Sequence, residues 1–334
     1  MAILTPVLKS SPVIKRYENN PVLSAKDIPY DASLVFNAGV AKYNGKYVMI
    51  FRDDMGFNDE NPRFGGTHLG LATSDDGIKW DVSKKPFMSF EEMKTDEILR
   101  YYDPRLTVIE GELYMCFAVD SYHGILGGIG KINEQLDGME ILSTSGPDNR
   151  NMVLFPEKIG GLYTRLERPM PVYSRGKDRF DLWMSQSPDL KFWGNTKLVL
   201  GVEDVPYAND KIGPAAPPIK TEKGWLTTFH AVDIDPTRGK NGYEPQWTKR
   251  YTAGIMLLDL EDPSKIIGMS KEPLIAPEVP YETDEGFREQ VIFPGAMLLE
   301  DSGEVKIYYG AADTVECLAT ANVDDLIKLC TEKK

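Results

Sequence analysis

Five times along this 334-residue chain one plan recurs: an apolar strand, a turn containing glycine, and a second strand rich in aromatic and β-branched residues. The segments run from Phe36 to Arg52, Tyr102 to Ala118, Leu154 to Leu166, Ile212 to His230 and Ile292 to Tyr309. Such a repeat constrains the fold more than any single motif, because no unit can bury its apolar face alone. Asn44-Gly45 is the strongest turn, since both residues tolerate the positive φ that a two-residue hairpin requires. A further strand with a polar turn follows each hairpin: Leu69 to Trp80, Gly127 to Ile132, Phe180 to Trp193, Tyr251 to Leu260 and Cys317 to Ala321. Each unit thus supplies three or four antiparallel strands. Five units predict an all-β, five-bladed β-propeller with few peripheral helices, residues 1–334 forming one domain. A β-sandwich is the rival, although it needs no repeat. Ser89 to Ile98 and Val323 to Leu329 are the expected helices.

Charge narrows the partners. With 51 acidic against 38 basic residues, a net charge of −13 and a pI near 4.9, the chain is a poor match for nucleic acid or an anionic membrane. Any anion must be met by a local basic pocket. Cys116, Cys317 and Cys330 form no metal or disulfide spacing, and an odd count suits a reducing compartment. The start, Met1 to Pro6, lacks a basic segment followed by a long apolar run, and no apolar run approaches membrane-spanning length. A soluble cytoplasmic protein is expected. His68, His123 and His230 are too dispersed to form a recognisable ligand set, so neither metal nor cofactor is implied.

In a propeller the first strand of each blade lines the central channel, gathering corresponding positions around one mouth. In the run Tyr101-Tyr102-Asp103-Pro104-Arg105, proline favours an extended conformation for Asp103 at a strand start. Alone, this triplet reads as a turn cap with Asp103 paired to Arg105. Corresponding places in the other units carry Asn37, Arg52, Asp53, Asp54, Asp120, Arg168, Lys211, His230, Asp233 and Asp313. Each one singly reads as a solvated turn or an inter-blade ion pair. Converging on one axis, they describe a pocket for a polar ligand with an anionic part. Trp80, Trp193, Trp225 and Trp247 are either sugar-stacking faces or packing between blades.

Tyr102-Asp103-Pro104-Arg105, the run from Arg150 to Pro156, Glu167-Arg168-Pro169, Lys211 to Pro214, Gly224 to Leu226, Phe229-His230, Leu257 to Leu260 and Tyr308 to Thr314 together resemble the β-mannoside phosphorylases of glycoside hydrolase family 130. The resemblance spans nearly the whole chain in the right order. It implies a five-bladed propeller that breaks a β-mannosidic bond with inorganic phosphate as co-substrate, inverting the anomeric centre and releasing α-mannose 1-phosphate. It further implies Asp103 as general acid, protonating the bridging oxygen through a mannosyl hydroxyl. Arg150, Arg168, Lys211, His230 and Tyr251 match phosphate-binding positions, and Asp313 matches a carboxylate contacting the mannosyl group. Asn37, Arg52, Asp53 and Arg105 fall where sugar contacts are expected. A homo-oligomer such as a dimer is also implied.

The chemistry agrees with this assignment. An inverting hydrolase needs a second carboxylate as base, whereas phosphate is already a nucleophile and needs cations to hold it. Arg105 and its like would tend to keep Asp103 ionised, which conflicts with an acid role. The chain departs from β-1,4-specific members at Phe155-Pro156-Glu157-Lys158, at Glu167 to Arg175, and in the insertion Asp233 to Lys249. It looks closer to the subgroup acting on β-1,2-linked mannosides. A hydrolase on the same scaffold, with Asp53 or Asp313 as base, and a non-catalytic sugar-binding propeller are the alternatives.

Overall fold

The computed structural model describes residues 7–56, 65–170, 180–238 and 247–332. A short β1 (Lys15–Arg16) precedes five antiparallel sheets. The first comprises β2 (Leu34–Tyr43), β3 (Lys46–Met55), β4 (Gly66–Ser74) and β5 (Asp81–Val82). The turn α1 (Phe90–Met93) leads into β6 (Ile98–Ile109), β7 (Glu112–Ser121), β8 (Gly124–Ile132) and β9 (Met139–Thr144). The third sheet is β10 (Asn149–Leu154), β11 (Tyr163–Pro169), β12 (Leu182–Ser187) and β13 (Gly194–Leu200). The fourth holds β14 (Lys211–Pro214), β15 (Ile219–Thr221), β16 (Gly224–Ile234), β17 (Lys249–Leu258) and β18 (Ile266–Met269). After α2 (Pro280–Thr283), the last sheet contains β19 (Ile292–Leu299), β20 (Glu304–Ala311) and β21 (Val315–Asn322), and α3 (Val323–Thr331) follows. This is the five-bladed propeller expected from the repeat.

Apolar layers between neighbouring sheets hold the ring together. Ile50 and Leu69 meet Leu106 and Met115; Cys116 and Ile129 meet Met152; Leu166 and Met184 meet Phe229 and Met256; Ile255 and Leu257 meet Ile307 and Cys317; Tyr308 and Leu318 meet Val40 and Met49. Burying each such side chain is worth roughly 1.5–3 kcal/mol. The ring closes when β1 pairs with β21, Lys15 opposite Thr320 and Arg16 opposite Ala319, so the N-terminal strand completes the last blade. Arg16 also forks onto buried Glu282, Nε and Nη2 lying 2.7 and 2.9 Å from its two oxygens.

Three local expectations change. The helix expected over Ser89 to Ile98 stops at Met93, because Ile98 is already paired with Ser121 in β6. In the third blade the inner strand is β10, so residues 155–162 are the connection rather than the first half of a hairpin. Asp103 is not extended at a strand start. It lies inside β6 at a bulge between Tyr102 and Arg105, with φ +53°. The bulge also frees Pro104, which has no N–H to donate, from the ladder.

Candidate active site

The inner strands of the first three blades share one irregularity. Pairing slips between Phe36 and Gly39, between Tyr102 and Arg105, and between Arg150 and Val153. Inside each slip stands a left-handed residue: Asn37 (φ +52°), Asp103 (φ +53°) and Asn151 (φ +58°). Asn and Asp are the non-glycine residues that tolerate this region best, and bulges re-aim side chains. All three line one cavity of about 640 Å³ at the channel mouth. Asp313, at φ +49° after β20, lines it too.

Asp103 stands among cations. Its Oδ1 accepts from Asn37 Nδ2 at 3.0 Å and from Arg52 Nη1 at 3.2 Å. The Arg52 guanidinium is itself gripped by Asp54, with Nη2 at 2.6 Å, and Asp54 accepts from the Thr67 hydroxyl at 2.6 Å. Burial pushes the Asp103 carboxyl up, but Arg52, Arg105, Asn37 and Arg150 outweigh it and hold it below the usual range. The local pair with Arg105 does not form. Arg105 turns inward, Nε donating to the Ala215 carbonyl at 2.8 Å and Nη1 to that of Pro104 at 2.7 Å, beneath the cavity floor.

The opposite wall is cationic. The register of β10 and β11 sets Arg150 directly across from Arg168. Like charges so placed repel, and among the described residues no carboxylate pairs with either. Arg168 is buried, and its Nε and Nη2 have no protein partner; neither does Arg150 Nε. Burial and then Arg150 weaken the Arg168 cation. His230, on β16, is pushed well below its ordinary pKa by burial, then by Arg168 and Lys211, and is therefore neutral. Its Nδ1 lies 3.2 Å from the Pro214 carbonyl, so Nδ1 carries the proton and Nε2 accepts from Arg168 Nη1 at 3.2 Å. His230 thus orients Arg168 rather than offering a donor to a ligand. Tyr251 lines the cavity between His230 and Trp247, stacked on both. Burial raises its phenol, but Lys211 and Lys249 bring it below its ordinary value. Lys211 lies just behind this wall, Nζ 5.3 Å from the Tyr251 ring centre.

Most of the residues singled out from sequence therefore meet: Asn37, Arg52, Asp103, Arg150, Arg168, His230, Tyr251 and Asp313 line one cavity. Asp313 is held by Arg288 Nη1 at 3.0 Å, and its carboxyl is raised by burial against the pull of Arg288 and Arg52. Asp53 is a correction. Strand alternation sends it to the face opposite Arg52 and Asp54, where it is fully buried with neither oxygen partnered. It does not line the cavity. Asp233 instead holds Arg238 and Arg250. Of the four tryptophans singled out from sequence, Trp247 lines the cavity; Trp225 packs on Phe155, Trp193 lies under Arg165, and Trp80 meets Tyr308. Glu157, a marker of linkage in the sequence, pairs with Lys220 and does not line the cavity. Residues 171–175 and 239–246, also used as markers, lie outside the described residues. Sequence reading missed Arg100, Asn151, Phe287 and Arg288 as lining residues. Asn151 was findable as the third Asn or Asp at equivalent bulges.

Fold and site together define a β-propeller whose sugar-sized cavity sets the carboxylates of Asp103, Asp120 and Asp313 opposite Arg150 and Arg168, which meet no carboxylate among the described residues. The chain belongs to glycoside hydrolase family 130, described as beta-1,4-mannooligosaccharide phosphorylase, whose model matches residues 9–332. It is 33% identical over 323 residues to a 1,2-beta-oligomannan phosphorylase of Thermoanaerobacter sp., covering 94% of this chain and 98% of that one. Identity to a beta-1,4-mannooligosaccharide phosphorylase of Ruminococcus albus is 34% over 329 residues, covering 94% and 90%. The solved beta-1,2-mannobiose phosphorylase of Listeria innocua, in complex with beta-1,2-mannobiose, superposes with TM-score 0.80 at 25% identity over 95% of this chain and 99% of that one.

Proposed function

We propose that this protein is an inverting β-mannoside phosphorylase acting on β-1,2-mannobiose or short β-1,2-oligomannan, releasing α-mannose 1-phosphate inside the cell. The observation that carries it is the cross-strand pair Arg150 and Arg168, buried or nearly so with unpartnered guanidinium nitrogens, facing a cavity that also holds Asp103. A dianion between them would relieve the repulsion, and guanidinium forks suit phosphate oxygens. Family membership supports the reaction class. Arg150 and Arg168 hold phosphate below the anomeric carbon, His230 orients Arg168, and Tyr251 with Lys211 completes the wall. Asp103 supplies the proton to the leaving oxygen through a mannosyl hydroxyl, acting from its minority protonated form because the neighbouring cations hold its carboxyl below the usual range, and Asn37, Arg52 and Asp313 hold the mannosyl unit. The β-1,2 linkage rests on the Thermoanaerobacter and Listeria relatives; the Ruminococcus relative, equally similar, supports a β-1,4 linkage instead.

The test is product analysis with β-1,2-mannobiose, β-1,4-mannobiose and mannosyl-glucose, each with and without inorganic phosphate. Phosphate-dependent α-mannose 1-phosphate from the 1,2-linked sugar is the expected result. The same product from the 1,4-linked sugar alone reassigns the linkage. Free mannose formed equally without phosphate overturns the reaction.

A further inference from the structure

Asp120 lies on β7 directly opposite Arg100 of β6, and Tyr102, two residues on from Arg100, shares their face of the sheet. Its two carboxylate oxygens are divided. Oδ2 accepts from Arg100 Nε at 2.8 Å, and Oδ1 accepts from the Tyr102 hydroxyl at 2.8 Å. A phenol has one proton to give, and here it goes to Asp120, leaving the oxygen's lone pairs for another donor. That donor is Arg150 Nη1, 3.1 Å away across the gap to the third blade. Tyr102 is buried between the guanidinium groups of Arg100 and Arg52, 4.6 and 5.1 Å from its ring centre, so the ring cannot swing away. Among the described residues the Tyr102 oxygen is the one hydrogen-bond acceptor met by the Arg150 guanidinium.

We propose that Asp120 is a positioning residue for phosphate: by taking the Tyr102 proton it fixes the phenol oxygen as an acceptor, and that oxygen aims Arg150. This rests on the reading of Arg150 as a phosphate ligand. The polarity of the chain is its essential feature. In Asp120→Asn the amide oxygen is held by Arg100, which has only protons to offer, so the amide NH2 turns to Tyr102. The phenol then points its own proton at Arg150, and donor meets donor.

The experiment compares wild type, Asp120→Asn, Tyr102→Phe and the double variant by initial rates against phosphate and against sugar, with calorimetric titration of inorganic phosphate and a melting curve for each. Losing a charge-assisted hydrogen bond predicts a phosphate KM, and a phosphate dissociation constant, raised about tenfold in both single variants. The sugar KM stays within about twofold, as expected of a site that is not coupled to the change. Because Asp120 acts through Tyr102, the double variant should match Tyr102→Phe rather than add to it. A phosphate KM unchanged in Asp120→Asn, or additive effects, or a rise in both KM values with a lowered melting temperature, overturns the proposal. A wild type that neither binds phosphate nor requires it overturns the phosphorylase reading as well, which separates the two failures.

Discussion

Asp103, which lines the channel mouth, and Asp53, which turns away from it, behave quite differently. Asp103 meets Arg52 and Asn37 within hydrogen-bond distance, and these with Arg105 and Arg150 keep its carboxyl ionisable against the pull of burial. In the proposed role of general acid it is expected to contribute about 10²–10⁴-fold. Asp103→Asn should therefore lose turnover on that scale while calorimetry still detects mannoside binding; retained turnover would remove Asp103 from the chemistry. Asp53 meets no donor, and its pKa is raised to about 8 by burial, then by Asp54 and Asp31. An acid whose folded pKa exceeds its unfolded value of about 3.9 keeps its proton only in the fold. Its contribution is therefore full below that unfolded value and is lost as pH rises toward about 8. Asp53→Asn should flatten this slope and melt higher in alkaline buffer, by roughly 2–4 °C per kcal/mol recovered. Parallel melting curves across that range would show that Asp53 finds a partner in solution. The sequence marked both aspartates equally, since alternation along β3 becomes decisive only once one face is known to meet the channel.

The innermost strands approach one another so closely that glycine is required at contact points. A Cβ at Gly39 would stand 2.8 Å from the Leu106 nitrogen and 2.9 Å from the Pro104 carbonyl oxygen, between the first and second blades. On β14, a Cβ at Gly213 would lie 2.5 Å from His230 Cε1 and 2.9 Å from Arg168 Cδ. Gly213→Ala must therefore move His230 and the Arg168 side chain that it orients. Overpacking of this kind costs about 1–3 kcal/mol. Phosphate affinity should fall by about tenfold or more on that scale, measured by titration, whereas unchanged affinity would mean that Arg168 does not hold the anion. The hairpins were legible because Asn44-Gly45 and Glu110-Gly111 carry the turn chemistry in their own φ values, +49° and +79°, +53° and +83°. The bulges were not. Tyr102-Asp103-Pro104-Arg105 reads as an extended start because proline restricts the residue before it, and only pairing with β7 forces the extra residue and the left-handed Asp103.

Around the whole ring, closure rests on β1, on further main-chain bonds from Tyr17, Val22 and Leu23 to β21, and on the ion pairs of Arg16 with Glu278 and Glu282. Glu282 is fully buried and accepts from Arg16, from the Tyr309 hydroxyl at 2.9 Å and from the Glu278 N–H at 2.9 Å. Arg16→Ala would leave this carboxylate buried without its cation, a loss of about 3–5 kcal/mol. Denaturant unfolding should report that loss, and a change below about 1 kcal/mol would show that β1 closes the ring without the pair. The order of residues along the chain was sufficient for the five units, their turns, the all-β class and the family, because those signals are local or lie in the spacing of short motifs. The meeting of Arg150 with Arg168, the turning away of Asp53 and Arg105, and the passage from Asp120 through Tyr102 to Arg150 were not legible there. They depend on strand register and on how neighbouring blades face each other. A side chain reaches the channel or leaves it by a single step of strand alternation, and that step is settled only when the ring has closed.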